Sequence, residues 1–104
     1  MLFRSLVLPP DSPDPGPGPV ELSVLAELPL IATPPGTASR KRLDDSLAIA
    51  NVTEPRIVVE TIYRATIPKL VAAGVGASLL PRHMAQEAAE LGARVVAKIG
   101  RAHV

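Results

Sequence analysis

Leu70-Val71-Ala72-Ala73-Gly74-Val75-Gly76-Ala77-Ser78-Leu79-Leu80-Pro81 is the stretch that decides the fold. Its first half carries apolar residues at helical spacing, with Ile67, Leu70, Val71 and Gly74 on one face. Gly74 is a good helix terminator, because glycine adopts the left-handed backbone at no steric cost. Ala77 to Leu80 then reads as a buried strand, closed by Pro81. Pro68 fits a helix that starts near Ala65, where a proline in the first turn loses no hydrogen bond.

Outward from this unit the same alternation repeats. Arg56–Glu60 contains Ile57-Val58-Val59, a β-branched run expected of a buried parallel strand. Leu28–Ala32 reads as another buried strand, broken by Thr33-Pro34-Pro35-Gly36. Thr37 offers an N-cap hydroxyl. Leu43, Leu47 and Ala50 then form the apolar stripe of a helix of about four turns, which Asn51 ends. Val20–Glu27 fits a short helix or turn. Downstream, Arg82–Leu91 is expected to be helical, with Met84, Ala88 and Leu91 on one side, and Gly92 its terminator. Ala93–Ala97 is the last strand, and Leu6–Leu8 the first. Strand-helix alternation of this kind implies an α/β fold with a mainly parallel sheet and crossover helices.

Composition sets the remaining bounds. The 104 residues suffice for one small core, and the only aromatic side chains, Phe3 and Tyr63, leave that core aliphatic. A net charge of +1 gives no basic footprint for nucleic acid. The absence of cysteine excludes disulfides and thiolate metal sites, and suits a cytoplasmic origin. There is no run of 18 apolar residues, hence no membrane-spanning segment. Pro9–Pro19 holds six prolines and reads as an exposed loop.

The two ends read as foreign. Ile99–Val104 can be encoded ATC GGA AGA GCA CAC GTC, and Leu2–Ser5 CTC TTC CGA TCT. The second string begins with the reverse complement of the opening of the first, which resembles a sequencing adapter. Residues 1–5 and 98–104 are therefore expected to be non-native, and Phe3, Arg101 and His103 carry no functional weight.

Catalytic chemistry is poorly supplied. His83 is a lone histidine at a helix start, and Ser78 lies in no nucleophile elbow. Gly74-Val75-Gly76 lacks the third glycine of a dinucleotide fingerprint and follows a helix rather than a strand. No metal-ligand spacing occurs, and Asp44-Asp45 reads as a solvated helix face. The expectation is a protein that is not an enzyme and uses no cofactor or metal.

Thr33–Arg42 is the most informative stretch for binding. A strand-to-helix junction presents free N–H groups and the positive end of the helix dipole, which favour an anion. Thr37 and Ser39 add hydroxyls, while Arg40, Lys41 and Arg42 oppose the dipole in the first turn. Two readings stand side by side. Either an anionic group sits nearby, or Thr37 only caps while Arg40 and Lys41 pair with Asp44 and Asp45 at i, i+4.

Leu28–Arg40 resembles the strand, loop and helix opening of the second lobe of LysR-type regulators. Leu70–Pro81 is similar to that family's most recognisable effector-domain segment. Pro10-Asp11-Ser12-Pro13 is similar to the loop before the lobe, with Ser12 where a histidine is common and a longer proline-glycine stretch after it. The resemblance covers about residues 6–97, a partial effector-binding domain with its proline-rich loop at 9–19. It implies one lobe of a two-lobed fold similar to periplasmic binding proteins, in a cytoplasmic, homo-oligomeric bacterial transcription factor. A small organic effector, often an anion, would bind between the lobes. DNA would be contacted only through a winged helix-turn-helix that this chain lacks, as it lacks most of the first lobe. The cleft wall would comprise Pro34, Gly36, Thr37, Ala38 and Ser39, with Glu60, Thr61 and Tyr63 at neighbouring cleft or hinge positions. The helix from Ala65 to Ala73 resembles one used in subunit contacts. A solute-binding protein of a transport system has the same fold and is the alternative.

Overall fold

The computed structural model describes residues 4–13, 20–96 and 99–100. Phe3, Arg101, His103 and residues 14–19 of the proline-rich loop therefore lie outside the described residues. Five strands carry the architecture: β1 (Arg4–Leu8), β3 (Pro29–Ala32), β4 (Arg56–Glu60), β5 (Ser78–Pro81) and β6 (Arg94–Val96). Two two-residue strands, β2 (Val20–Glu21) and β7 (Ile99–Gly100), pair in parallel beside them. Three helices complete the fold: α1 (Ala38–Ile49), α2 (Ile67–Ala72) and α3 (Arg82–Glu90). Leu22–Ala26 forms a 3-10 helix, settling a segment for which helix and turn fitted equally.

The strand order is β4-β3-β5-β1-β6. β3 pairs with β4 in parallel, and β1 lies antiparallel between β5 and β6. A single parallel bridge, Leu30 to Ala77, joins the two ladders. It consists of two short backbone bonds: Ile31 N donates to Ala77 O, and Ala77 N donates to Pro29 O, both at 2.8 Å. The sheet is thus mixed. The helices α1, α2 and α3 all join parallel strands, α3 passing over β1, whereas the antiparallel entry of β1 has no signal in the hydrophobic pattern.

Alternation along each strand divides the core in two. Leu6 and Leu8 of β1, Leu30 and Ala32 of β3, and Leu79 of β5 pack with Leu43 and Leu47 of α1 and Leu25 of the 3-10 helix. Val7, Ile31 and Leu80 point the other way, onto Ile67, Val71, Met84, Ala85 and Ala88 of α2 and α3. The result is a three-layer α/β/α arrangement, aliphatic throughout as the composition requires.

All three helices end alike. Asn51 (φ 59°), Gly74 (φ 89°) and Gly92 (φ 106°) adopt the left-handed backbone. The next residue's N–H then reaches back to the helix: Val52 to Leu47 O, Val75 to Leu70 O and Ala93 to Ala88 O, at 2.9–3.0 Å. These are the terminators expected from the sequence, closed by the motif that satisfies orphan carbonyls.

Two expectations need correction. The β-branched run Ile57-Val58-Val59 lies on an edge strand rather than a fully buried one: β4 alternates exposed and half-buried, and Val58 is 43% exposed. Branching favours any pleated strand, so it does not distinguish edge from centre. Leu91 is 49% exposed, because α3 ends at Glu90 and Ala85 takes its place on the buried face.

Gly76 holds the two ladders close. A Cβ there would stand 2.9 Å from Pro29 O and 3.2 Å from Ile31 Cγ1, beside the backbone bonds of the bridge. Gly76→Ala is expected to destabilise the chain by about 1–3 kcal/mol through overpacking against backbone that cannot yield. Urea denaturation checks this; an unchanged midpoint would show that the ladders can separate.

Candidate functional site

β3 ends at Ala32, and Thr33 follows with its side chain buried beneath the first turn of α1. The hydroxyls of Thr37 and Ser39 each lie 2.6 Å from the Thr33 hydroxyl. The direction of each bond follows from counting protons, since a hydroxyl has only one. Thr37 donates its proton to Pro34 O at 2.8 Å and accepts the Arg40 N–H at 3.2 Å as N-cap. Thr33 must therefore donate to Thr37, and Ser39 to Thr33. The chain runs Ser39 to Thr33 to Thr37 to Pro34 O. It fully occupies Thr37 and leaves Ser39 as the end that presents lone pairs outward.

Arg40 fastens this turn to the end of β4. Its guanidinium donates to Glu60 at 3.0 Å, to Asp44 at 3.1 Å and to Thr33 O at 3.1 Å. The bond to Glu60 is the main cause of a guanidinium pKa raised above its ordinary value; burial opposes it and Asp44 adds to it. Lys41 pairs with Asp45 at 3.3 Å. The i, i+4 pairs anticipated from the sequence therefore exist, and Arg40 has an additional long-range partner. On the same side, Thr61 N donates to Ala32 O at 3.0 Å, and the Thr61 hydroxyl accepts from Tyr63 N at 3.0 Å.

A small cavity of about 20 Å³ opens next to the hydroxyl chain, between β3, β5, α1 and α3. Thr33, Ser39 and Ser78 supply hydroxyls to its lining, and Arg4 and Arg64 supply charge. Ser78 donates to Ile31 O at 3.1 Å, across the junction of the two ladders. Arg4 donates from Nη1 to Ser39 O at 3.3 Å and from Nη2 to Leu79 O at 2.7 Å. Its Nε is buried without a partner among the described residues. Burial, reinforced by the positive charges of Arg42 and Arg64, lowers the Arg4 pKa to about 10. The wall is thus electropositive as well as rich in hydroxyls.

Of the residues singled out in the sequence, the structure brings Pro34, Thr37, Ser39 and Glu60 together. Gly36 and Ala38 are exposed on the loop and first helical residue beside them. Thr61 and Tyr63 lie on the adjoining loop after β4, where Tyr63 is 67% exposed. Sequence reasoning missed Thr33, Ser78, Arg4 and Arg64. Thr33 carried a signal: it is the one polar residue between an apolar strand and its helix cap. The others are joined to the site only by tertiary pairing. Among the described residues no three His, Asp or Glu side chains gather to hold a metal, and no helix is long and apolar enough to cross a membrane.

Thr33→Val keeps the shape but removes the middle of the hydroxyl chain. It is expected to destabilise by about 1–3 kcal/mol, as a buried hydrogen-bonding group loses its partner; chemical denaturation against Ser39→Ala measures it, and equal, negligible losses would deny the chain a structural part. For Arg40 and Glu60, a double-mutant cycle with Arg40→Ala and Glu60→Gln is expected to give a coupling of about 0.5–1 kcal/mol, since Glu60 is half exposed. A coupling near zero would leave the two elements independent.

Comparison with known proteins bears on this arrangement. The family model described as LysR substrate binding domain matches residues 4–102. The effector-binding domain of QuiR, in complex with shikimate, superposes with a TM-score of 0.81 at 18% identity, over 99% of this chain and 47% of that one. The cofactor-binding domain of the Cbl transcriptional regulator gives 0.72 at 28% identity, over 91% of this chain and 41% of that one. A cysteine mutant of OxyR from Corynebacterium glutamicum gives 0.64 at 26% identity, over 77% and 24% respectively. This chain spans less than half the length of each. No curated protein sequence matches it.

Proposed function

The chain belongs to the family of LysR substrate-binding domains, and from that premise we propose that it is the second lobe of an effector sensor in a transcription regulator. The observation that carries this reading is the hydroxyl chain ending at Ser39, set beside the start of α1 in a wall to which Arg64 contributes positive charge. A cavity of about 20 Å³ has room for a water molecule, whereas small-molecule sites span roughly 300–1,000 Å³. The wall is therefore one side of a cleft, and the opposing lobe supplies the other.

The effector class follows from the wall. Arg42 and Arg64 raise the local potential, and the free N–H groups of α1 add to it, which favours a small organic anion. An anion facing Ser39 requires the hydroxyl to donate outward. The chain can meet that demand by reversing, so that Thr37 donates to Thr33, Thr33 to Ser39, and Ser39 to the ligand. Pro34 O then loses its hydroxyl donor, which links occupancy of the cleft to the Pro34–Gly36 loop. Pro34, Gly36, Thr37 and Ala38 hold the loop and helix start in place, while Glu60, Thr61 and Tyr63 form the neighbouring edge. Sensing, oligomerisation and operator binding are assigned to the complete regulator. Its DNA-reading domain lies outside this chain, and no catalytic step is involved.

In the complete regulator, Ser39→Ala is expected to weaken the effector response by about ten- to a hundredfold, on the order of 1.5–3 kcal/mol for a hydrogen bond to a charged ligand. Thr33→Val should do the same by interrupting the chain, with operator affinity unchanged in both. Effector titrations read by operator-binding assays test this, and wild-type titrations in both variants would remove the hydroxyl chain from the site.

A further inference from the structure

β3 and β5 start out as parallel neighbours and then stop pairing. Ala77 N donates to Pro29 O, and Ile31 N donates to Ala77 O, both at 2.8 Å. In a regular parallel ladder the next bond would run from Leu79 N to Ile31 O. The Leu30–Ala77 bridge is isolated, so that bond is not made. Ser78 takes the acceptor in its place: its hydroxyl, itself buried, donates to Ile31 O at 3.1 Å. Leu79 O accepts from Arg4 Nη2 at 2.7 Å, a side chain rather than β3.

Strand geometry fixes where the displaced donor lies. Successive residues turn their N–H and C=O groups to opposite edges of a strand. Ala77 bonds to β3, so Leu79 shares that edge, while Ser78 and Leu80 face β1. Neither Ile31 nor β1 therefore takes up the Leu79 N–H. Leu79 is only 7% exposed and lines the polar cavity together with Thr33, Ser39 and Ser78. A buried N–H is seldom left without a partner. This one stands beside the carboxyl end of β3, the end of a parallel pair at which α/β sheets receive ligands. As a main-chain group it leaves no mark in the identity of residue 79.

We infer that Ser78 is a positioning residue of the wall: by occupying Ile31 O it frees the Leu79 N–H, which donates to the anionic group of the effector in the cavity that Ser39 also lines. The anion rests on the effector-sensing reading above; the interrupted ladder does not. Removing the Ser78 hydroxyl would return Ile31 O to Leu79 N, close the ladder by one more bond and withdraw the donor.

Amide hydrogen exchange of the 104-residue chain, read by NMR, tests the ladder without any ligand. The Ala77 and Ile31 amides should exchange slowly, and the Leu79 amide about tenfold faster or more, the equivalent of one backbone hydrogen bond. Ser78→Ala should slow Leu79 by about tenfold, and Ser78→Thr, which keeps the hydroxyl, should restore fast exchange. A wild-type Leu79 amide as slow as Ala77 overturns the proposal, as do Ala77 and Ile31 amides without protection. Acetate, the simplest carboxylate, then probes the donor. On titration the wild-type Leu79 and Ser39 amide resonances should move together, whereas in Ser78→Ala the Leu79 resonance should stay in place. Movement of Ser39 alone in the wild type overturns the backbone donor and leaves the anion site standing; movement of neither removes both.

Discussion

Two backbone hydrogen bonds at Ala77, one to Pro29 and one from Ile31, hold the halves of the sheet together. On one side lies the parallel ladder of β3 and β4, on the other the antiparallel ladder of β5, β1 and β6. No further strand pairing joins them among the described residues, so the approach of Gly76 to Pro29 sets the line on which the structure closes. Both layers of helices rest on this junction. Leu30 and Ile31 are neighbours in sequence but point into opposite core clusters, so a slip of one residue would exchange the two faces.

The polar wall inherits its geometry from the same junction. Thr33 is carried to the foot of α1 by β3, and Ser78 bonds back to Ile31 across the seam. The hydroxyl chain is therefore built on the two strands whose separation the bridge fixes. Arg40 adds the third element by joining α1 to β4 through Glu60. This explains Arg40 in a helical first turn that contains no acid. The dipole penalty on Arg40 is offset by a carboxylate twenty residues away, which helix propensity alone cannot reveal.

What could be read from the sequence was whatever is encoded locally. Thr37 as cap, Asn51, Gly74 and Gly92 as terminators, and the Leu43–Leu47 stripe are each properties of a few consecutive residues. The alternation of strand and helix was legible for the same reason. The antiparallel placement of β1 was not, because Leu6-Val7-Leu8 is equally compatible with either direction of pairing. The edge position of β4 was hidden by β-branched residues that suit any strand. In the site, Ser39 and Thr37 were visible as hydroxyls near a helix start. The chain that orders their protons was not, since it hinges on Thr33, which reads locally as the breaker after a strand.

The placement of β1 has a consequence for how the molecule is made. Its partner strands are β5 and β6, so Arg4 meets Leu79, 75 positions further along the chain. A ribosome adding roughly 5–20 residues per second takes about 4–15 s between them. Throughout that interval Leu6, Val7 and Leu8 are exposed in the nascent chain without their native neighbours. Later segments can form their own local pairs, but the centre of the sheet stays vacant until the C-terminal third emerges. Seating of β1 is thus a late event, because its partner strands follow it by some seventy residues. Such a strand is a natural client for a chaperone that binds apolar segments at the tunnel exit.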